Sequence, residues 1–474
     1  MPKSKVTWDA FNCMHLLRRA GDGFTYNEFR WAQKAGHKKT VRAILSPSTF
    51  KPRPFSNYKD IKRRLERPWG KLDFEERQEL QKDMRMEVEG LLEDWVIGMT
   101  QSRFMNDALL HKMAFFWHSL FVVEAQKVRN PVLIYDQISL FYKYALGNYA
   151  DLLKEMVRNP ALIMYLDNQR NRKSHPNENF AREIMELFSL GRGNYSEEDI
   201  KEGARALTGY SVKHTEFQFK KNFHDFGKKH ILGVSGNWDG EEFIEIILDQ
   251  PACSEYIARR IWGYFAGTEA SEELTQELAG ILRKNKYEVK PLLYAIFTHP
   301  EFYSTKVKGR MIKSPMSFTV GFTRQFNVDL SQPNYLKRLL RNLGQLPYHA
   351  PNVKGWPGGR TWIDTSRLTT RQAFTAHINS LNKAYKNDME KKRAMKKMKM
   401  MGKSNVELNI LKAFPVKESD TVPYLNYLNE FIFAVPLNSN QITKLSKSYP
   451  RRLDDSGKQT LFLAMLELPN YQLM

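Results

Sequence analysis

Between Asn177 and Tyr210 the chain reads NENFAREIMELFSLGRGNYSEEDIKEGARALTGY, with Asn179, Glu183 and Glu186 at i, i+4 and i+7. That spacing puts two carboxylates and an amide on one helix face. Such a face can supply half of a hard-cation or two-metal site if imidazoles arrive from elsewhere. Glu178 and Arg182 form a neighbouring i, i+4 pair, and Asp199 and Arg205 come within the same stretch. These groups can instead close into an ion-pair lattice, because an unpaired buried carboxylate is costly. The lattice of Glu178, Asn179, Arg182, Asp199 and Arg205 is the preferred reading.

A second constellation is His224-Asp225, with Lys229 and His230 just beyond it. Imidazole moves protons near neutral pH, and a His–Asp pair can ligate a metal. Glu183, Glu186, His224 and Asp225 are therefore the catalytic candidates. With Asn179 they are also the candidate ligands, and a divalent metal is the cofactor they would take. The plainer reading makes His224 a capping or packing residue.

His118 lies among Phe115, Phe116, Trp117, Leu120 and Phe121, so it reads as a core histidine. His118 with His224-Asp225 matches the His, His-Asp, Asp set of helical phosphohydrolases only loosely. His111 and His118 share a helix face but sit about 10 Å apart along it, too far for one metal. There is no glycine-rich phosphate loop and no Gly-x-Ser-x-Gly elbow. The loop Gly355-Trp356-Pro357-Gly358-Gly359 with Trp362 either lines a cleft or clamps onto the core.

The elements that must carry these residues are mostly helices. Apolar periodicity predicts helices over 8–19, 26–36, 74–100, 106–125, 131–146 and 148–157, with a restart at Pro160. The basic stretch 40–68, interrupted by Pro47, Pro52 and Pro54, reads as a wrapping loop. The polar-striped helix should span 177–190. Ser196 with Asp199 marks the next start, an Asp variant of the capping box. Alternation at Glu216–Phe219 and the turn-like Lys-Lys-Asn after it predict a β-hairpin within 212–232. Helices resume from 240 to about 343, and a last core helix starts near Thr370.

The chain has 474 residues, net charge +21 and only two cysteines, Cys13 and Cys253. Two cysteines are no disulfide framework. The longest apolar run, Met113–Val123, is too short for a membrane span. Without a secretory leader, a cytoplasmic location is expected. The charge is segmental: residues 1–67 carry +11 and residues 383–403 carry +7, leaving the centre nearly neutral. That argues against a continuous phosphate-tracking groove. Lys391, Lys392, Arg393, Lys396 and Lys397 form a basic contact surface within 386–403. That segment is rich in Lys and Met and reads as a flexible linker. Residues 404–474 should return to helix and pack back on the 1–385 core.

Several motifs together resemble the bacterial "domain of unknown function 1800" family: HLLRRAG (15–21), FWH (116–118), NPALIMYLDN (159–168), NENFAREIMELFSLG (177–191), YSEEDIKEGARALTGY (195–210), FHDFGKKHILG (223–233) and LGQLPYHAPNVKGWPGGRTWI (343–363). The resemblance runs from near residue 12 to the end. It implies no chemistry. It does imply a partner, because members are often encoded beside alkaline-phosphatase-like proteins. Two positions depart from the family pattern: Leu120 replaces its second histidine after Phe-Trp-His, and His111 replaces a usual Glu.

The expected fold is mainly α, a large multi-helix globular domain with a small β-hairpin insertion. Two functions remain open: a non-catalytic helical scaffold or accessory factor acting with a partner protein, and a metal-dependent hydrolase using the Glu/Asn stripe with His224-Asp225. A third, nucleic-acid binding through residues 1–67, is not favoured.

Overall fold

The computed structural model describes residues 6–102, 104–328, 330, 334–375, 389 and 418–474, and the backbone of 376–381. Helix starts follow short polar-then-proline signals. Asn130 and Asn159 each cap a helix that opens on proline, Pro131–Lys143 and Pro160–Tyr165. Asp73 and Glu76 close a capping box at the head of the 27-residue helix Phe74–Thr100. Ser196 and Asp199 close another at the head of Glu197–Ala206, so the Asp variant of the motif works as expected. The result is a mainly helical fold with two small antiparallel hairpins.

The helix Met105–Leu120 is apolar on nearly every face, which requires burial on every face. It packs between Ala10–Gly21 and Pro131–Lys143. Its Trp117 is fully buried, and the indole N–H donates to the carbonyls of Tyr144 and Ala145. One hydrophobic cluster then extends from Cys13 to Tyr471. The last segment joins it through aromatic edges: Phe431 meets Phe29 at 5.2 Å and Phe462 meets Phe326 at 4.8 Å. Among the described residues no helix is long and apolar enough to cross a membrane.

Three local expectations need correction. The stretch 40–68 is not one loop: helices His37–Ile44 and Tyr58–Glu66 flank an irregular segment. Prolines 47, 52 and 54 forbid helix only there, while Val41, Ile44 and Ile61 bury apolar faces on either side. The first hairpin pairs β1 (Tyr210–Lys213) with β2 (Glu216–Phe219) and turns at His214-Thr215, not at Lys-Lys-Asn. Lys221–Phe223 is instead a short 3-10 turn. A second hairpin, β3 (Lys229–Ile231) with β4 (Val234–Gly236), turns at Leu232-Gly233, both at positive φ, as a two-residue turn demands. The striped helix is also not uniform: its α-turns end at Glu183 and a π-helical segment runs Ile184–Ser189.

The end of the first helix, Ala10–Gly21, is tied down by buried charge. Arg324, on helix Pro315–Phe326, donates to the carbonyls of Gly21 and Gly23 at 2.6 Å and to Glu28 Oε1 at 2.9 Å. Beside it Lys112 pairs with Asp22 at 2.5 Å. A Cβ on Gly321 would lie 2.4 Å from the Asp22 carbonyl, so the two backbones can approach only at glycine. Arg324→Ala would strand Glu28 at a buried site. We expect it to lower unfolding free energy by about 3–5 kcal/mol, read as a lower urea midpoint with an unchanged slope.

Candidate functional site

The stripe begins where the chain leaves Asn171, whose side chain holds the Asn177 N–H and the Ala204 carbonyl. Asn179 is exposed and donates to the Leu166 carbonyl at 3.1 Å. Arg182 grips Glu197 with two parallel bonds, 2.7 and 2.8 Å, and reaches Glu178 at 3.1 Å. That fork joins the striped helix to the start of Glu197–Ala206 and raises the guanidinium's proton affinity above its ordinary range.

The π-helical segment redirects the end of the stripe. The N–H groups of Leu190 and Gly191 both return to the Met185 carbonyl, and the Ser189 hydroxyl donates to Ile184 O. Glu186 Oε1 accepts from Arg192 Nε at 2.6 Å and Glu186 Oε2 from the Tyr195 hydroxyl at 3.2 Å. Lys354, beside the Trp356 loop, stands 3.8 Å away. Burial pushes the Glu186 carboxyl up, but these donors outweigh it and hold it below the ordinary range.

Glu183 differs. It is half-buried and, among the described residues, accepts no hydrogen bond and makes no ion pair. Burial first, and the Glu186 charge second, push its carboxyl above the ordinary range. Two neighbouring carboxylates thus have their proton affinities driven apart, as an acid–base pair requires.

A separate knot forms around Arg205. Its Nε donates to Asp225 at 2.7 Å, and its Nη1 donates to Glu202 at 2.7 Å and to the Lys228 carbonyl at 3.2 Å. Glu202 also accepts the His230 N–H, and Asp199 accepts the Leu232 N–H, so both acids hold the second hairpin. Lys229 is buried and donates to the carbonyls of Asp225 and Gly227. His224 is buried between Phe219 and Phe226, with Nδ1 against the Thr208 carbonyl at 2.8 Å. Burial lowers its proton affinity.

The expected meeting of Asn179, Arg182, Glu183, Glu186, Arg205, His224 and Asp225 at one point does not occur. They divide into an Arg182 knot, a Glu183/Glu186 pair and an Arg205 knot, with His224 packed as a core residue beside the last. Among the described residues no three His, Cys, Asp or Glu side chains are grouped to hold a metal ion. Lys391, Lys392, Arg393, Lys396 and Lys397 lie outside the described residues. His118 accepts the Tyr348 N–H at 3.0 Å, and Trp356 stacks on Phe115, so the tryptophan loop clamps onto the core. Sequence spacing does not reveal Glu197, Glu202, Arg192, Tyr195 and Lys354 as members of these knots. Only Glu202 carries a signal, its i, i+3 spacing from Arg205.

A family model described as "Protein of unknown function (DUF1800)" matches residues 15–473. The chain belongs to that family. No curated protein and no solved structure matches it. The matched range contains every residue of these knots. The 223–233 segment of this chain supplies Asp225, and its 343–363 segment supplies Lys354.

Because Glu183 titrates above its ordinary value of 4.5, the folded state holds a proton that the unfolded state has released. Its ionisation therefore costs stability as pH rises from the ordinary glutamate range through the folded value. Glu183→Gln should stabilise the protein at pH 7 and give no gain below pH 4, measured by denaturant titration at both pH values. Arg205→Met should lower stability by about 2 kcal/mol. It should also speed amide exchange in the second hairpin, read by hydrogen–deuterium exchange.

Proposed function

We propose that this chain is a helical scaffold or accessory protein that holds a partner protein, and that its polar stripe braces the surface rather than performing chemistry. The observation that carries this reading is the pairing of the stripe's acids other than Glu183. Arg182, Arg192 and Arg205 each bind an acid, and Arg182 and Arg205 also join separate elements. Support for a docking role comes from a different part of the molecule. There a groove of about 1480 Å³ runs along helix Phe74–Thr100, between Lys82, Arg85 and Val88 on one wall and Val128, Arg129 and Arg341 on the other. Trp69 lines it, and neighbouring Phe74 is 72% exposed. A large aromatic left in water is the type of side chain that anchors interfaces.

A nucleic-acid role has less support. Arg18 and Arg19 are buried, while Arg63, Arg64 and Arg67 are paired with Asp60, Asp83 and Glu76. For location we favour a reducing compartment such as the cytoplasm. Cys13 and Cys253 are both free and buried, and burial pushes each thiol up to about 12.

A second reading, a hydrolase working through Glu183, rests on that one unpaired carboxylate and its charged neighbour.

The partner to test is the alkaline-phosphatase-like protein that the family resemblance suggests. Co-expressed with it, the chain should co-purify, and the double variant Trp69→Ser/Phe74→Ser should weaken binding at least about 30-fold, the effect of losing one hot spot. Binding unaffected by that variant, or no complex at all, would defeat the groove assignment. Glu183→Gln separates the two readings: a scaffold keeps full partner affinity, whereas a hydrolase loses turnover of its substrate.

A further inference from the structure

Three buried cations lie in one part of the core, and none has a carboxylate partner among the described residues. Arg18 comes from the first helix, Lys313 precedes helix Pro315–Phe326, and Arg371 lies on helix Thr365–Leu381. They are 5%, 6% and 1% exposed. The hydrogen-bond acceptors that meet the two guanidinium groups are neutral. Arg18 donates to the Phe431 carbonyl at 2.7 Å, while Arg371 donates to Gln472 Oε1 at 2.8 Å and to the Lys313 carbonyl at 2.7 Å. The Lys313 ammonium lies 3.5 Å from the centre of the Tyr471 ring. Among the described residues no carboxylate forms an ion pair with any of the three.

Two donors beside them are also left over. Arg371 Nε and the Tyr471 hydroxyl are buried, and among the described residues neither has a hydrogen-bond partner. Lys313 feels the repulsion of both Arg18 and Arg371, and both arginines act on Tyr471. Elsewhere the core pairs Lys112 with Asp22 and Arg324 with Glu28, while buried Arg19 rests on the Val307 carbonyl. What sets the trio apart is that three such cations, with Tyr471, share one part of the core. Cations withdrawn from water need an anion or must shed a proton, and arginine sheds its proton with difficulty.

We propose that Arg18, Lys313, Arg371 and the Tyr471 hydroxyl form an internal binding site for a small tetrahedral oxyanion, inorganic phosphate or sulfate. A guanidinium, an ammonium and a phenol O–H are the donors such an ion takes. The depth of the site favours a free ion over the head of a larger ligand. Once bound, the ion joins the first helix, the start of Pro315–Phe326, the helix Thr365–Leu381 and the Tyr471-Gln472 turn. It binds the folded chain only, so its concentration sets stability.

The test uses the full chain, purified in chloride and titrated with sodium phosphate, sodium sulfate or sodium chloride at matched ionic strength. Phosphate or sulfate should raise Tm saturably by about 2–3 °C near a hundredfold excess over Kd, and chloride should not. The arm that saturates at lower concentration identifies the ion. Lys313→Met should abolish the specific response. If that variant does not fold, Tyr471→Phe takes its place and should shift the titration midpoint several-fold upward. Ion chromatography of denatured wild-type protein should release close to one phosphate or sulfate per chain after saturation and desalting. An equal response to all three salts would overturn the site, and so would a specific response unchanged in the variants. Lys313 would then be an uncharged amine packed on Tyr471.

Discussion

A side chain that carries charge out of water must meet an opposite charge or surrender its own, and the arrangement of this fold depends on how that condition is met. At the end of the first helix it is met by pairs: Lys112 with Asp22 and Arg324 with Glu28. These pairs fix where the chain turns after Gly21, because Arg324 also takes up the carbonyls exposed there.

Around the stripe the same condition is met in a wetter setting. Arg182 and Arg205 each bind acids from two places, so each locks a geometry as well as a charge. The π-helical segment is the local distortion that accompanies this. It is associated with a Ser189 side-chain bond to Ile184 O and places Glu186 within reach of Arg192 and Tyr195. Glu183, at the junction between α and π winding, accepts no hydrogen bond among the described residues. Unusual winding and an unsatisfied carboxylate thus occur at one point, and that coincidence keeps a catalytic reading in view.

Much of the helical frame is legible in the sequence. The long helix lies at 74–100, where its Asp73–Glu76 box and its apolar period agree in placing it. Prolines 131, 160 and 315 likewise mark true starts. The differences have physical causes. Periodicity cannot register a π insertion, since one extra residue per turn leaves local composition unchanged. Lys-Lys-Asn resembles a turn by residue type, but the turn that forms is set by strand pairing, with His214 taking positive φ. At the site, sequence spacing finds the partners within a helix. It cannot find Lys354 for Glu186 or Asp225 for Arg205, because each arrives from a distant segment.

Net charge is the least direct guide. A value of +21 invites an acidic partner. Yet Arg18, Arg19, Lys112, Lys313, Arg324 and Arg371 are all buried and present no charge to a partner. Two of these six are neutralised by carboxylates, and Arg18, Arg19, Lys313 and Arg371 rest on neutral acceptors or an aromatic face. Part of the basicity is therefore an internal property of the core, balanced or unbalanced by what the core encloses. The electrostatic question for this fold is accordingly what neutralises its inside, before what its outside attracts.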